Sequence, residues 1–188
     1  MFMAVYSSVE TNATLDTAPS RLVTRLALRF GGGAGLACGL WMLGLQLSGN
    51  NGFGPKQVLA QLLVPLAAVA SEWVLRKKLQ PGKPGLGRSL SVGLLTVLIA
   101  AVISAGSVLA LAYGAGEPAL ARNRAEVKEI ILSQQRENPK MMRSEKEIRQ
   151  QLQNVDKLAA SDLATSNFTI VLLFGLVLAL PGGIFFRE

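Results

Sequence analysis

Two ionisable side chains fall inside otherwise apolar stretches of this 188-residue chain. Arg29 lies at the start of the charge-free stretch 30–48, and Glu72 interrupts the apolar segment 56–75. A charge at membrane depth is costly, so such residues pair with each other, bind an ion or carry a proton. On antiparallel spans the two would lie at a similar depth, and we predict an ion pair between them near one membrane boundary. We prefer this pairing to ion transport because few polar residues lie at mid-membrane depth.

Other chemistry has little support in the sequence. The chain has no histidine, which removes the commonest general base and metal ligand. Cys38 is the only cysteine, so neither an internal disulfide nor a CxxC motif is possible. Ser104, Ser107 and Asn167 lack a base or metal partner that would support nucleophilic catalysis. We therefore predict no catalytic residue, no metal site and no cofactor, in a chain that is not an enzyme.

The most apolar segment indicates the fold class. Residues 89–116 contain no charge and exceed the about 20 residues that an α-helix needs to cross a hydrocarbon layer of ~30 Å. The composition is 50% hydrophobic and only 16% charged, with a mean hydropathy of +0.37, which is typical of a membrane domain. We predict one all-α membrane domain over residues 21–188, preceded by a disordered tail at 1–20. It is an integral membrane four-helix bundle with spans at about 26–47, 56–75, 89–113 and 164–186.

Residues 117–162, between spans three and four, have a different character. Acidic and basic residues are interleaved there, and apolar residues recur at helical spacing in two stretches. Asn138 and Pro139 end the first stretch, and the pattern SEKE at 144–147 predicts a capping box that opens the second. The segment therefore predicts an extracytoplasmic amphipathic helical hairpin. Its expected facing pairs are Val127 with Leu152 and Ile131 with Ile148.

The positions of the basic residues indicate the orientation. Arginines precede span one and the loop 76–88 is basic without an acid, whereas the first loop holds only Lys56. Because Lys and Arg next to spans are retained on the cytoplasmic side, we expect both termini in the cytoplasm and the hairpin outside. The net charge of +7 has the same explanation and does not indicate nucleic-acid binding.

Small residues recur at every fourth position on three of the spans. Such faces let helix backbones approach closely, and close packing holds helices together in lipid. We expect these faces to pack within the bundle, with oligomerisation as the alternative. The candidate packing residues are Gly31, Gly35 and Gly39 on span one, Gly175, Ala179 and Gly183 on span four, and Gly106, Ala110 and Gly114 on span three.

Four segments carry a resemblance to a known family. They are RLALRFGGGAGLACGLWML within residues 21–43, GLGRSLSVGLLTVLIAAVISA at 85–105, SEKEIRQQLQNVDKL at 144–158 and LVLALPGGIFF at 176–186. Together with the order of spans, they resemble the bacterial four-span membrane family called domain of unknown function 4199. The resemblance implies the four-span fold but no activity, ligand or functional residue.

These features favour a multi-pass protein of a bacterial inner membrane without enzymatic activity. We expect a scaffold or a regulatory or assembly subunit that acts through its external hairpin; a small transporter or channel subunit is the alternative. The expected partners are the lipid bilayer and a membrane or extracytoplasmic protein, or a second copy of the chain, with no nucleic acid. The mixed charges of the hairpin also suit a surface that is simply solvated.

Overall fold

A computed structural model of the chain describes residues 2–137 and 144–187, with side chains from Ser20 onward. These residues contain no strand. The predicted disordered tail at 1–20 falls almost wholly outside the part with described side chains, and it stays a prediction. The helices are α1 (Phe2–Leu47), a 3-10 turn (Pro55–Gln57), α2 (Val58–Gln61), α3 (Leu63–Leu79), α4 (Gly85–Glu137), α5 (Glu145–Asp156) and α6 (Ala160–Phe185).

Four helical stretches are long and apolar enough to cross a membrane. They are Ser20–Leu47, Pro55–Leu79, Gly85–Glu137 and Ala160–Phe185. α4 packs extensively against both α1 and α6, and α3 contacts all three of these helices. The predicted all-α membrane four-helix bundle is therefore confirmed, with α4 as its central helix.

The second span consists of consecutive helical pieces instead of one regular helix. α2 ends at Gln61 and α3 begins at Leu63. Pro65 explains the interruption, because it lacks an N–H and its ring crowds the carbonyl oxygen of Gln61. The Gln61 side chain at the break lies inside the bundle and is 1% exposed.

α4 leaves the membrane span and continues as a helical arm after a change of direction at Gly116. That residue has φ 70° and ψ −170°, a backbone conformation that glycine adopts without steric strain. Pro118 follows in the first turn of the new segment, where a missing N–H leaves no intrahelical bond unmade. The span and the arm therefore separate close to the predicted boundary between residues 113 and 117.

The second helix of the arm is α5, and it begins at the predicted capping box. Ser144 Oγ accepts a hydrogen bond from the Glu147 N–H at 3.3 Å, and the Ser144 N–H donates to Glu147 Oε2 at 2.8 Å. α4 ends at Glu137; the predicted break at Asn138 and Pro139 lies outside the described residues. "Arm" refers below to residues 117–137 of α4 together with α5.

The boundary between the arm and span four differs from the prediction. The hairpin was expected to reach residue 162, but α6 already begins at Ala160. The reason is the side chain of Asp162, whose Oδ2 accepts a hydrogen bond from the Ala159 N–H at 2.8 Å. A carboxylate in this position satisfies a free N–H and opposes the positive end of the helix dipole.

The two ends of the bundle differ in their buried side chains. The end where α3 stops and α4 starts is called the basic end, after residues 76–88, and the opposite end is called the arm end. The core at the basic end is built by Val23, Leu26, Ala27, Leu75 and Val92. The core at the arm end is built by Met42, Phe53, Val108, Ala112, Ala119 and Ala164, with Leu120 packed against it.

Candidate functional site in the buried polar layers

Glu72 is fully buried, with 0% of its surface exposed. Neither of its carboxylate oxygens has a hydrogen-bond partner. The carboxylate lies where α3, α4 and α6 meet, between two glycines. A methyl group added at Gly93 would collide with Oε1, and one added at Gly182 would collide with Oε2. These glycines thus make room for the acid inside the bundle.

The predicted ion pair between Arg29 and Glu72 is wrong. Arg29 is exposed on the outside of α1, whereas Leu26, Ala27 and Gly31 are buried against the bundle. Two positions along an α-helix correspond to about 200° of rotation, so a side chain two residues after Ala27 points away from the interior. Equal depth on antiparallel spans did not ensure that the two side chains share a face.

Three other polar side chains are buried on α3 and α4. Ser71 precedes Glu72 on α3, and Ser89 and Thr96 lie on α4. The Thr96 hydroxyl is within hydrogen-bond distance of Ser71 Oγ, at 3.0 Å, and of the Val92 carbonyl oxygen, at 2.7 Å. Ser89, one turn before Gly93 on α4, has a buried hydroxyl without a partner. These residues and the acid form the inner polar layer: Ser71, Glu72, Ser89 and Thr96.

A second group of polar side chains lies nearer the arm end. Ser104 Oγ donates to Asn167 Oδ1 at 2.8 Å, and Asn167 Nδ2 donates to Gln57 Oε1 at 3.3 Å. Gln61 is buried four residues after Gln57, and its amide oxygen and nitrogen have no partner. These four residues form the outer polar layer. The interior of the bundle therefore contains two groups of polar side chains, and the expectation about mid-membrane depth stays a prediction.

Apolar side chains separate the two polar layers. They are fully buried and come from α3, α4 and α6: Val64, Ala68, Val97, Ala100, Ala101 and Val171. Within the described part of the bundle, this conformation has no continuous polar route from the outer layer to Glu72.

Ser89, Thr96 and Ser104 could have been recognised from the sequence, because spacings of seven and eight residues place them on one helical face.

The first loop fastens the arm to the bundle. Asn51 Nδ2 donates to Asn123 Oδ1 at 3.0 Å and to Glu126 Oε2 at 2.7 Å. Arg122 donates to the Gly49 carbonyl oxygen at 2.6 Å. The segment 51–54 is buried, although its composition predicts only an exposed turn. Sequence reasoning missed Asn51 because a short polar loop gives no sign of the surface it contacts.

Polar contacts join the first helix of the arm to α5 and to the segment that follows α5. Arg124 donates to the carbonyl oxygen of Leu158, two residues after the end of α5, from Nε at 3.0 Å and from Nη2 at 2.8 Å. Lys128 forms an ion pair of 2.5 Å with Asp156. In the predicted register, Lys128 would lie opposite a residue close to Leu152. It instead pairs with Asp156, four residues later, so the contact favours a register shifted by about one helical turn. The side chains of Val127, Ile131, Ile148 and Leu152 are partly buried, and their facing pairs stay predictions.

The small-residue faces of spans one and four both pack against α4. A Cβ at Gly35 would lie 2.8 Å from Ile103 Cβ, and one at Gly175 would lie 3.0 Å from Val97 Cβ. Gly31, Gly39 and Gly183 approach α4 in the same way, and the Cβ of Ala179 would lie 3.4 Å from a Cβ added at Gly93 on α4. In contrast, a Cβ at Gly106 or Gly114 would meet no other atom within 4 Å, so that face of α4 points outward.

Comparison with known proteins identifies the family of the chain. A family model described as "Protein of unknown function (DUF4199)" matches residues 29–188, which is most of the sequence. The chain therefore belongs to this family. No curated protein and no solved structure is significantly similar to it.

Proposed function

We propose that this member of the DUF4199 family is a non-enzymatic scaffold or assembly subunit of a bacterial inner membrane. It acts through its arm on a membrane or extracytoplasmic protein, and both of its termini lie in the cytoplasm. The observation that carries the proposal is the way the arm is held. The arm is a direct continuation of the central span, and Asn51 and Arg122 fix it to the first loop.

The surface of the arm supports this role. Leu132 is 39% exposed, and the predicted facing residues are only partly buried. Two helices joined by a few polar contacts leave apolar surface that a partner would cover. A rigid attachment suits assembly, because a partner then meets a surface that is already ordered and loses less entropy on binding.

A photo-crosslinking amino acid placed at Leu132 in intact cells tests the assembly role. We expect a discrete protein adduct from this position. The matched control is Val177, which is 66% exposed on a span and should yield lipid adducts. A Leu132 position that yields no protein adduct, in a chain that reaches the membrane at the normal level, contradicts the assembly role. An adduct with a second copy would identify the partner as this chain itself.

A transporter or channel subunit is the second candidate, and the buried polar layers favour it. Polar groups inside a bundle are expensive and often line the path of an ion or substrate. The apolar layer between them means that transport would require the helices to rearrange. Vesicles with a trapped pH-sensitive dye test this role: the chain should accelerate the decay of a proton gradient, and Glu72→Gln should abolish the acceleration. Decay no faster than in protein-free vesicles contradicts proton transport.

A further inference from the structure

The carboxyl group of Glu72 has no charge or donor to balance it in the interior of the bundle. We propose that Glu72 is a proton-binding site, at which the carboxyl group carries a proton while α3, α4 and α6 are packed together. The proposal depends neither on the assembly role nor on transport. It rests on the burial of the group, on its neighbours and on the space around it.

The charged side chains of the surrounding helices do not neutralise this group. Arg29 on α1 points outward, Arg76 follows Glu72 by one turn on α3, and Arg88 and Arg187 lie near the ends of α4 and α6. None of these guanidinium groups donates a hydrogen bond to Glu72, because both carboxylate oxygens lack a partner. An ionised carboxylate buried without a counter-charge is strongly unfavourable, whereas a neutral carboxylic acid loses far less on leaving water.

The shape of the site selects a proton over a metal ion. The backbones of Gly93 and Gly182 lie against the two oxygens, so close that a single methyl group would not fit. A metal ion needs several further ligands around it, and the described residues contain no cluster of three acidic, cysteine or histidine side chains.

Proton binding at this position is linked to helix packing. Gly182 lies in the last turns of α6, and the Gly85 N–H donates to the Arg187 carbonyl oxygen at 3.3 Å, which joins the start of α4 to the end of α6. Loss of the proton would leave a charge between these helices, and separation of α6 from α4 would give that charge access to water. The site thus connects proton occupancy to the contact between the basic ends of two spans.

Infrared spectroscopy tests the proposal on the full chain at neutral pH in micelles of an alkyl maltoside detergent, because the ester C=O groups of phospholipids absorb where a protonated carboxyl group does. In this ester-free medium the C=O band of a protonated carboxyl group is separate from the bands of ionised carboxylates. We expect such a band in the wild type, its loss in Glu72→Gln, and its persistence in the control Glu145→Gln, which alters an exposed acid of the arm. Glu72→Asp should keep a band at a shifted frequency.

The wild-type spectrum alone can overturn the inference. If it contains no band from a protonated carboxyl group, Glu72 is ionised and the proposal is wrong, whether or not the variants fold. A band that persists unchanged in folded Glu72→Gln also overturns it, since the proton would then belong to another acid. Neither result depends on crosslinking of the arm or on proton flux, so the outcome is separate from that of both proposed functions.

Discussion

Single polar residues hold the arm of this protein against its membrane bundle, and Asn51 makes the largest share of these contacts. The substitution Asn51→Ala removes the hydrogen bonds that Asn51 donates to Asn123 and Glu126 on the arm. It also removes the bond that Asn51 Oδ1 accepts from the Phe53 N–H within the loop. Because Asn123 is only 2% exposed, we expect a loss of about 1 to 3 kcal/mol in the free energy of unfolding. Thermal unfolding in detergent, followed by circular dichroism, measures the resulting fall in melting temperature.

The neighbouring asparagine provides the control for this residue. The Asn50 side chain forms hydrogen bonds with Ser48 and Lys56 and has no described bond to the arm. Asn50→Ala should therefore change stability by less than about 0.5 kcal/mol. If Asn50→Ala and Asn51→Ala lower the free energy of unfolding equally, the loop stabilises the protein through its own fold and not through its link to the arm.

At the scale of helices, packing depends on which small-residue face meets a neighbour. Gly35→Ala places a Cβ 2.8 Å from Ile103 Cβ and 3.0 Å from the Ala100 carbonyl oxygen, so α1 and α4 must move apart. We expect a lower melting temperature. Gly106→Ala meets no atom within 4 Å, and its higher helix propensity should leave stability unchanged or raise it by up to about 1 kcal/mol.

These two substitutions also distinguish a small-residue face that packs within the bundle from one that contacts a second molecule. If Gly106→Ala lowers stability as much as Gly35→Ala, the outward face of α4 is occupied in the purified protein. A fall in oligomer size that accompanies this loss, measured by light scattering, would identify the occupant as a second copy.

The register of the arm is a further property of elements. In a Cys38→Ser background, the predicted register favours a disulfide between Val127→Cys and Leu152→Cys. The contact between Lys128 and Asp156 favours one about a turn away, between Ile131→Cys and Leu152→Cys. We expect the second pair to oxidise faster, as judged by gel mobility with and without reductant. Faster oxidation of the first pair would restore the original register.

Whether a feature could be predicted from the sequence depends on how far apart in the chain its interacting residues lie. The four apolar spans, the change from span to arm between residues 113 and 117 and the capping box at Ser144 depend on local composition, and they were predicted from it. The bend at Gly116 was not predicted. The outward direction of Arg29 follows from the inward face formed by Gly31, Gly35 and Gly39, because a residue two positions before Gly31 lies about 200° around the helix. The predicted ion pair was therefore incompatible with the predicted packing face. In contrast, the burial of Asn51 and the isolation of Glu72 arise from contacts between distant segments.

At the scale of the whole molecule, the uneven distribution of basic residues predicts the orientation in the membrane. The loop 76–88 carries Arg76, Lys77, Lys78, Lys83 and Arg88 without an acid, and such loops remain in the cytoplasm. The arm has nearly balanced charge, so its translocation meets little electrostatic resistance. We therefore expect the basic end inside and the arm end outside.

Cysteine accessibility in intact cells tests this orientation. In a Cys38→Ser background, Lys146→Cys lies on the exposed surface of α5, and Gln80→Cys lies in the exposed loop without removing any of its basic residues. A membrane-impermeant maleimide should label Lys146→Cys directly and Gln80→Cys only after the cells are permeabilised. Labelling of both variants after permeabilisation serves as the control for reactivity. The reverse pattern in intact cells would place the arm in the cytoplasm, and the partner of the arm would then have to be sought there.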